Sequence, residues 1–142
     1  MLTAIIAAGQ TFTCTPIAVY DGDGPIWCAE GPKIRLAGIA AREIDGTCRP
    51  HQPCPRRSGV DARDHLVKLL GGPRGRLSIG HIKVQAKPMR CLSVGWGKGE
   101  RTAAWCSLGR VDLSCAMVRD GYALRWARYD GARVCRLREN KR

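Results

Sequence analysis

"KIRLAGIAAREID", residues 33–45, decides the fold of this chain. Lys33 to Leu36 alternates charged and apolar side chains, the period of a half-buried strand. Residues 37–41 are then small apart from Ile39, and charge returns at Arg42, Glu43 and Asp45. If residues 35–43 stayed extended, Arg35 and Glu43 would stand about 26 Å apart at roughly 3.3 Å per residue. Gly38, with Ala37, Ala40 and Ala41 around it, leaves room for a sharp bend and for close backbone approach. The stretch therefore reads as a strand that bends and exits in charge.

Upstream, "FTCTPIAVY" (12–20) alternates and is rich in strand formers, and "DGDG" (21–24) is a strong turn signal. "PIWCA" and "KIRLAGIAA" follow, divided by the turn "EGP", which gives a three-strand meander over residues 12–41. Residues 46–58, with three prolines and two cysteines, form a loop. A helix follows, with Ser58 as N-cap, Asp61 in its first turn, Val60, Leu66, Val67 and Leu70 at helical spacing, and Gly71-Gly72 as the stop. "RLSIGHIKVQA" (76–86), "MRCLSVG" (89–95) and "TAAWCSLG" (102–109) read as strands, and a short second helix runs from Asp112 to Gly121. The class is α+β, mainly β: five strands closing a small OB-like barrel with two or three helices packed on it.

The chain is long enough for one domain with its own core. Its 24 Lys+Arg outnumber 12 Asp+Glu, a net charge of +12, which favours a polyanionic partner. The charge is uneven. Residues 1–45 hold three basic and five acidic groups, whereas residues 74–101 hold seven basic and one acidic. From Arg119 to Arg142 there are eight basic and three acidic groups, a basic C-terminal tail with Trp126 and Tyr129 packing on the body. An acidic cluster flanked by basic segments suits a site for a cation and a phosphate, although solvated charged faces would give the same composition.

Eight cysteines, with no CxxC pair and no histidine at zinc spacing, point to disulfides and an oxidising compartment, secreted or periplasmic. Cys48 with Cys54, around a Pro-rich loop, and Cys91 with Cys106, across a hairpin at "GWGKGE" (95–100), have local support; the other pairings stay open. Residues 1–9 read as a truncated signal peptide lacking a basic start, or else as a first strand, with the domain over 10–142. No apolar run is long enough for a transmembrane helix.

"VYDGDG" (19–24), "IRLAGIAAREID" (34–45), "ERTAAW" (100–105) and "VDLSCAMVRDGYA" (111–123), in this order and spacing, resemble the staphylococcal nuclease (thermonuclease) family over roughly residues 12–126. The resemblance implies an OB-fold barrel that hydrolyses DNA or RNA phosphodiesters with Ca2+, acting as a monomer. It implies Asp21 and Asp23 as metal ligands, Arg35 and Arg101 as phosphate contacts, and Glu43 as the carboxylate that activates water. Lys98 and Trp96, in the Gly/Lys turn, are added as nucleic-acid contacts, Trp96 against a base. These residue types suit the chemistry. Guanidiniums and a divalent cation stabilise charge that grows on phosphate oxygens, and a positioned carboxylate takes the proton of water.

The sequence also departs from the family pattern. Ala40 stands where a second metal-ligand aspartate is expected, Arg42 replaces a proline, and Gly99-Glu100 replaces Tyr-Gly. Asp45 or Glu100 could supply the missing carboxylate. Ala40 keeps a second reading open, a nucleic-acid-binding module without catalysis, beside a third, an envelope-associated protein whose basic tail meets anionic surfaces. Each site residue has a plainer reading: a β-turn for Asp21 and Asp23, a surface strand for Arg35, a pair with Arg42 or Arg63 for Glu43. His51, His65 and His81 read as structural or exposed, and Trp27, Trp105 and Trp126 as core.

Overall fold

The structure, a computed structural model, describes residues 4–129 together with Cys135. The basic tail beyond Tyr129 and the first three residues of the apolar start lie outside the described residues. The first half of the chain forms β1 (Thr11–Cys14), β2 (Pro16–Val19), β3 (Ile26–Cys28), β4 (Lys33–Leu36) and β5 (Ile39–Ala40). Then come α1 (Gly59–Leu69), β6 (Ile82–Lys83), β7 (Met89–Trp96), β8 (Arg101–Leu108), β9 (Val111–Asp112), α2 (Leu113–Arg119), β10 (Leu124–Arg125) and a 3-10 turn at Ala127–Tyr129. The class is α+β and mainly β, as the periodicity indicated.

One curled sheet has the order β1-β7-β8-β4-β3-β2-β6, with β9 paired to β8. Instead of five strands, the sheet is built from eight segments, of which only β7 and β8 reach eight residues. The breaks have local causes. Pro16 has no N–H to donate, and the β2–β3 register shifts between Pro16 and Ala18. Only Thr15 separates β1 from β2, yet β1 pairs with β7 while β2 pairs with β3 and β6. The strand expected over 76–86 is largely absent, because Leu77 N donates to His81 O at 2.8 Å and Gly80 takes φ +98°. That turn folds the segment back, leaving β6 and a single bridge from Arg76 to Ile82. The expected meander is present as antiparallel β2–β3–β4, while β4 and β8 run parallel.

Both helices begin where the capping residues stand. The Ser58 hydroxyl accepts from Asp61 N at 3.0 Å, and the Asp112 carboxylate accepts from Cys115 N at 2.9 Å. Such caps stabilise a helix by about 1 kcal/mol each. The apolar face of α1 (Ala62, Leu66, Val67) and that of α2 (Leu113, Met117) close one core with Val19, Ile26, Ile34, Leu36, Ile39 and Met89. Each buried Leu, Ile or Met stabilises by roughly 1.5–3 kcal/mol.

All eight cysteines are paired: Cys14–Cys28, Cys48–Cys54, Cys91–Cys106 and Cys115–Cys135. The two locally supported pairs are present, and of the other two one joins β1 to β3 and one joins α2 to Cys135. Four disulfides fit an oxidising, non-cytoplasmic compartment. Among the described residues, no helix is long and apolar enough to cross a membrane. Residues 6–10 form no strand, but Ile6 and Gly9 hydrogen-bond to Thr102 and Ser93 and run beside the hairpin.

Candidate active-site cleft

The bend after β4 is real. Gly38 takes φ +74°, and a Cβ there would strike the Trp105 ring, so glycine is required on both counts. β5 then turns away to pair with β10, and the chain reaches Glu43 through a tight turn in which Glu43 N donates to Thr47 O and Gly46 N to Glu43 O, both at 2.9 Å. The turn is stiffened by Asp45, whose carboxylate accepts from Thr47 Oγ1 at 2.6 Å and from Thr47 N at 2.9 Å. From the other side α1 presses its first residue on the same turn: a Cβ at Gly59 would collide with the Glu43 carbonyl oxygen. Arg42 ties the following loop down through Pro55 O and Gly46 O at 2.8 Å each, and Gln52 donates to Ala41 O at 2.7 Å. Glu43 is thus set by backbone on two sides.

These elements surround a cleft of about 1150 Å³. Asp21, Asp23, Arg35, Glu43, Trp96, Lys98 and Arg101 all line it, so one cavity gathers the residues singled out from three separate segments, 21–23, 35–43 and 96–101. Asp45 and Glu100, the substitutes considered for the missing carboxylate, do not. Asp45 is bound to Thr47, and Glu100 meets Lys33 at 3.7 Å. Ala40 is fully buried.

The acidic end is crowded. Asp21 is buried, and burial, then Asp23, and further Glu43, push its carboxyl up to about 10, so that it holds a proton at neutral pH. Asp23 Oδ2 receives Ala41 N at 3.3 Å and lies 3.7 Å from the Arg35 guanidinium. Arg35 also rests over the Trp126 ring, 5.6 Å from its centroid. Glu43 pairs with Arg49 at 3.2 Å, neither of the arginines expected from sequence, because Arg42 and Arg63 are engaged elsewhere.

The basic end differs. Among the described residues the Arg101 guanidinium has no hydrogen bond or ion pair, while Arg35, Arg49 and Lys33 each face a carboxylate. Lys98 holds the left-handed conformation, φ 80°, at the hairpin tip, and Trp96 Nε1 donates to Gly99 O at 2.9 Å, fixing the ring. Trp105 and Trp126 also line the cleft, Trp105 mostly buried and Trp126 half-buried.

His81, read as structural or exposed, packs against Tyr20 and Trp27, with ring centroids 5.0 and 4.6 Å away, and also lines the cleft. Burial, then Lys33 and Arg101, hold it below the ordinary histidine range, and it is neutral at pH 7. Nothing in its sequence neighbourhood signals this, since contact with Tyr20 depends on the turn that broke the expected strand. Arg49, Arg128 and Tyr129 join the lining for similar reasons of tertiary placement.

Among the described residues, Asp112, Cys115 and Cys135 form one group whose candidate ligand atoms converge within 4.8 Å. Both sulfurs are bonded to each other and Asp112 caps α2, so this group has no thiolate to offer a metal. No protein-family model matches this chain, and no curated protein matches it.

Proposed function

We propose that this chain is a nuclease of staphylococcal-nuclease type, hydrolysing phosphodiester bonds of DNA or RNA on an OB-fold barrel. The observation that carries the reading is the convergence of Asp21, Asp23, Arg35, Glu43 and Arg101 on one cleft from motifs far apart in the chain. The strand order supports the barrel. Taken as two halves of one bent strand, β1 and β2 join the neighbour path β3, β4, β8, β7 back to its start, with β4–β8 as the parallel pair, the order of a Greek-key barrel.

In this reading Arg101, the open cation, receives the phosphate, and Arg35, already oriented by Asp23 and the Trp126 face, contacts a second oxygen. Glu43 takes a proton from water as the water oxygen bonds to phosphorus and the bond to the leaving oxygen breaks. The leaving oxygen departs with the electron pair and is protonated from solvent. Charge growing on the equatorial oxygens falls under the guanidiniums. The donor set at the acidic end suits a hard cation such as Ca2+, with Asp21 and Asp23 as its holders. Burial first, and Asp23 beside it, raise the Asp21 carboxyl, and such an ion would offset the crowding of these carboxylates. When bound, it would add to the stabilisation of phosphate charge.

The test is cleavage of single-stranded DNA across a panel of divalent ions, wild type beside Glu43→Gln. The expected loss is about 10²–10⁴-fold, the usual contribution of general-base catalysis. Equal rates would remove Glu43 from the reaction. Ala40 favours a second reading, a binding module: no side-chain oxygen stands at that position, and Asp21, Asp23 and Glu43 do not converge within 4.8 Å. That reading expects salt-sensitive binding and no cleavage with any ion.

A further inference from the structure

β7 carries a second feature of the cleft. Its inward residues Met89, Cys91 and Ser93 are buried, whereas Leu92, Val94 and Trp96 are 40 %, 46 % and 69 % exposed. All three line the cleft: Leu92 is paired on both sides, with Thr11 and Trp105, Trp96 is paired with Thr102 of β8, and Val94 is the unpaired residue at the register shift between them. The row is held in place. The β7–β8 register shifts between Ser93 and Gly95, and Gly95 N donates to Ser93 Oγ at 3.0 Å while that hydroxyl donates to Ile6 O at 2.7 Å. Val94 is the extra residue of this bulge and is exposed, as strand alternation with Leu92 requires. Trp96 is fixed by its bond to Gly99 O. Cations stand at both ends: Arg90, exposed on the same strand face, and Lys98 with the unpaired Arg101 at the hairpin tip.

The geometry points to Leu92, Val94 and Trp96 as a stacking tract for unpaired bases that flank the phosphate held at Arg101. The inference rests on the reading of the cleft as a nucleic-acid site and adds the path that the strand takes away from the carboxylates. Residues two apart in extended chain stand up to about 6.8 Å apart, somewhat less across the bulge, whereas bases in a stacked duplex strand recur at about 3.4 Å. One apolar side chain per base therefore fits a strand whose bases are spread apart, and a duplex presents only base edges to such a row. Stacking on apolar and aromatic faces between basic flanks is how sequence-tolerant single-strand binding is built. An extended apolar peptide would fill the row equally well but would leave Arg90, Lys98 and Arg101 without counter-charge. A polyanion with one charge per unit satisfies both.

The experiment uses the full chain carrying Glu43→Gln, so that bound strands stay intact, with fluorescence-labelled eight-nucleotide oligothymidylate and a duplex oligonucleotide as probes. Trp96→Ala should weaken single-strand binding about fivefold or more, the usual loss on removing one stacking side chain. Leu92→Thr/Val94→Thr, which suits an exposed strand, should weaken it in the same direction. Duplex affinity and melting temperature should stay at the parent value in both, and Trp96→Phe should retain binding. Unchanged single-strand affinity in both variants, or equal losses on single strand and duplex, would overturn the tract and leave the cleft reading intact. Failure of the parent to bind either probe would overturn both.

Discussion

Asp21 and Asp120 are the same side chain in opposite circumstances. Asp120, at the end of α2, accepts from His65 Nε2 at 2.8 Å and from Arg119 Nε at 3.2 Å. Burial pushes its carboxyl up, but the bonds from His65 and Arg119 outweigh that, and the net shift is downward. His65 in turn stacks on Tyr122, 4.0 Å between centroids and 6° from parallel, and Arg57 covers the ring at 4.5 Å. This ladder ties α1 to the end of α2 and has every charge answered. Asp21 has burial and two more carboxylates around it, and no cation of its own. Under the proposed function, the contrast is between a carboxylate that supports the fold and one kept at a cost in stability to hold a cation.

Asp21→Asn puts this contrast under the greatest strain. Cleavage should fall by about 100-fold or more, as expected when a metal ligand is removed from the chemistry. The same variant should melt higher at pH 8, because it no longer has to bury an ionisable carboxyl. The sign follows from linkage. The folded chain keeps the Asp21 proton up to about 10, whereas the unfolded chain releases it near 3.8, so wild-type stability declines as pH rises through that window. Thermal melts from pH 5 to 9 should show a flatter profile for the variant. A variant that melts lower at every pH would contradict the contrast.

Asp120→Asn should act in reverse, lowering stability by about 1–2 kcal/mol, or roughly 3–6 °C in melting temperature, without changing cleavage. Its depressed carboxyl adds stability above 3.8, and this is lost as pH falls through the lower folded value. Melts between pH 2 and 5 should therefore converge for wild type and variant at the acid end. Reducing the comparison to cations, Arg101→Gln should weaken DNA binding and lower the salt slope by about one. The smallest effect is expected at Glu100→Gln. Its pair with Lys33 is half exposed, so chemical denaturation should register less than about 0.5 kcal/mol.

The sequence made some parts of the structure legible and hid others for physical reasons. Helix starts were readable because capping chemistry is local, at Ser58 and Asp112 alike. The Cys48–Cys54 and Cys91–Cys106 pairs were readable because a short loop and a hairpin put their partners together. Cys14–Cys28 needs the β2–β3 register and Cys115–Cys135 joins residues 20 apart across tertiary structure, neither of which periodicity contains. Strand breaks at Thr15-Pro16 and the turn at 77–81 overrode propensity, so the strands expected over 12–20 and 76–86 became shorter segments, while those expected over 89–95 and 102–109 are present at full length. The candidate site residues were found by motif order, and the cleft groups them. Their partners were not found. Arg49 reaches Glu43 only because Arg42 and the Cys48–Cys54 link fold residues 46–55 back on the cleft.

Gly59 has a consequence for how this chain tolerates change. It holds no charge, touches no ligand and takes part in no proton transfer. Yet the first residue of α1 abuts the carbonyl of Glu43 so closely that any side chain must displace the turn or the helix. In a survey of all substitutions, position 59 would therefore score beside the residues of the cleft itself. A reader of such a map would take a spacer for a reagent.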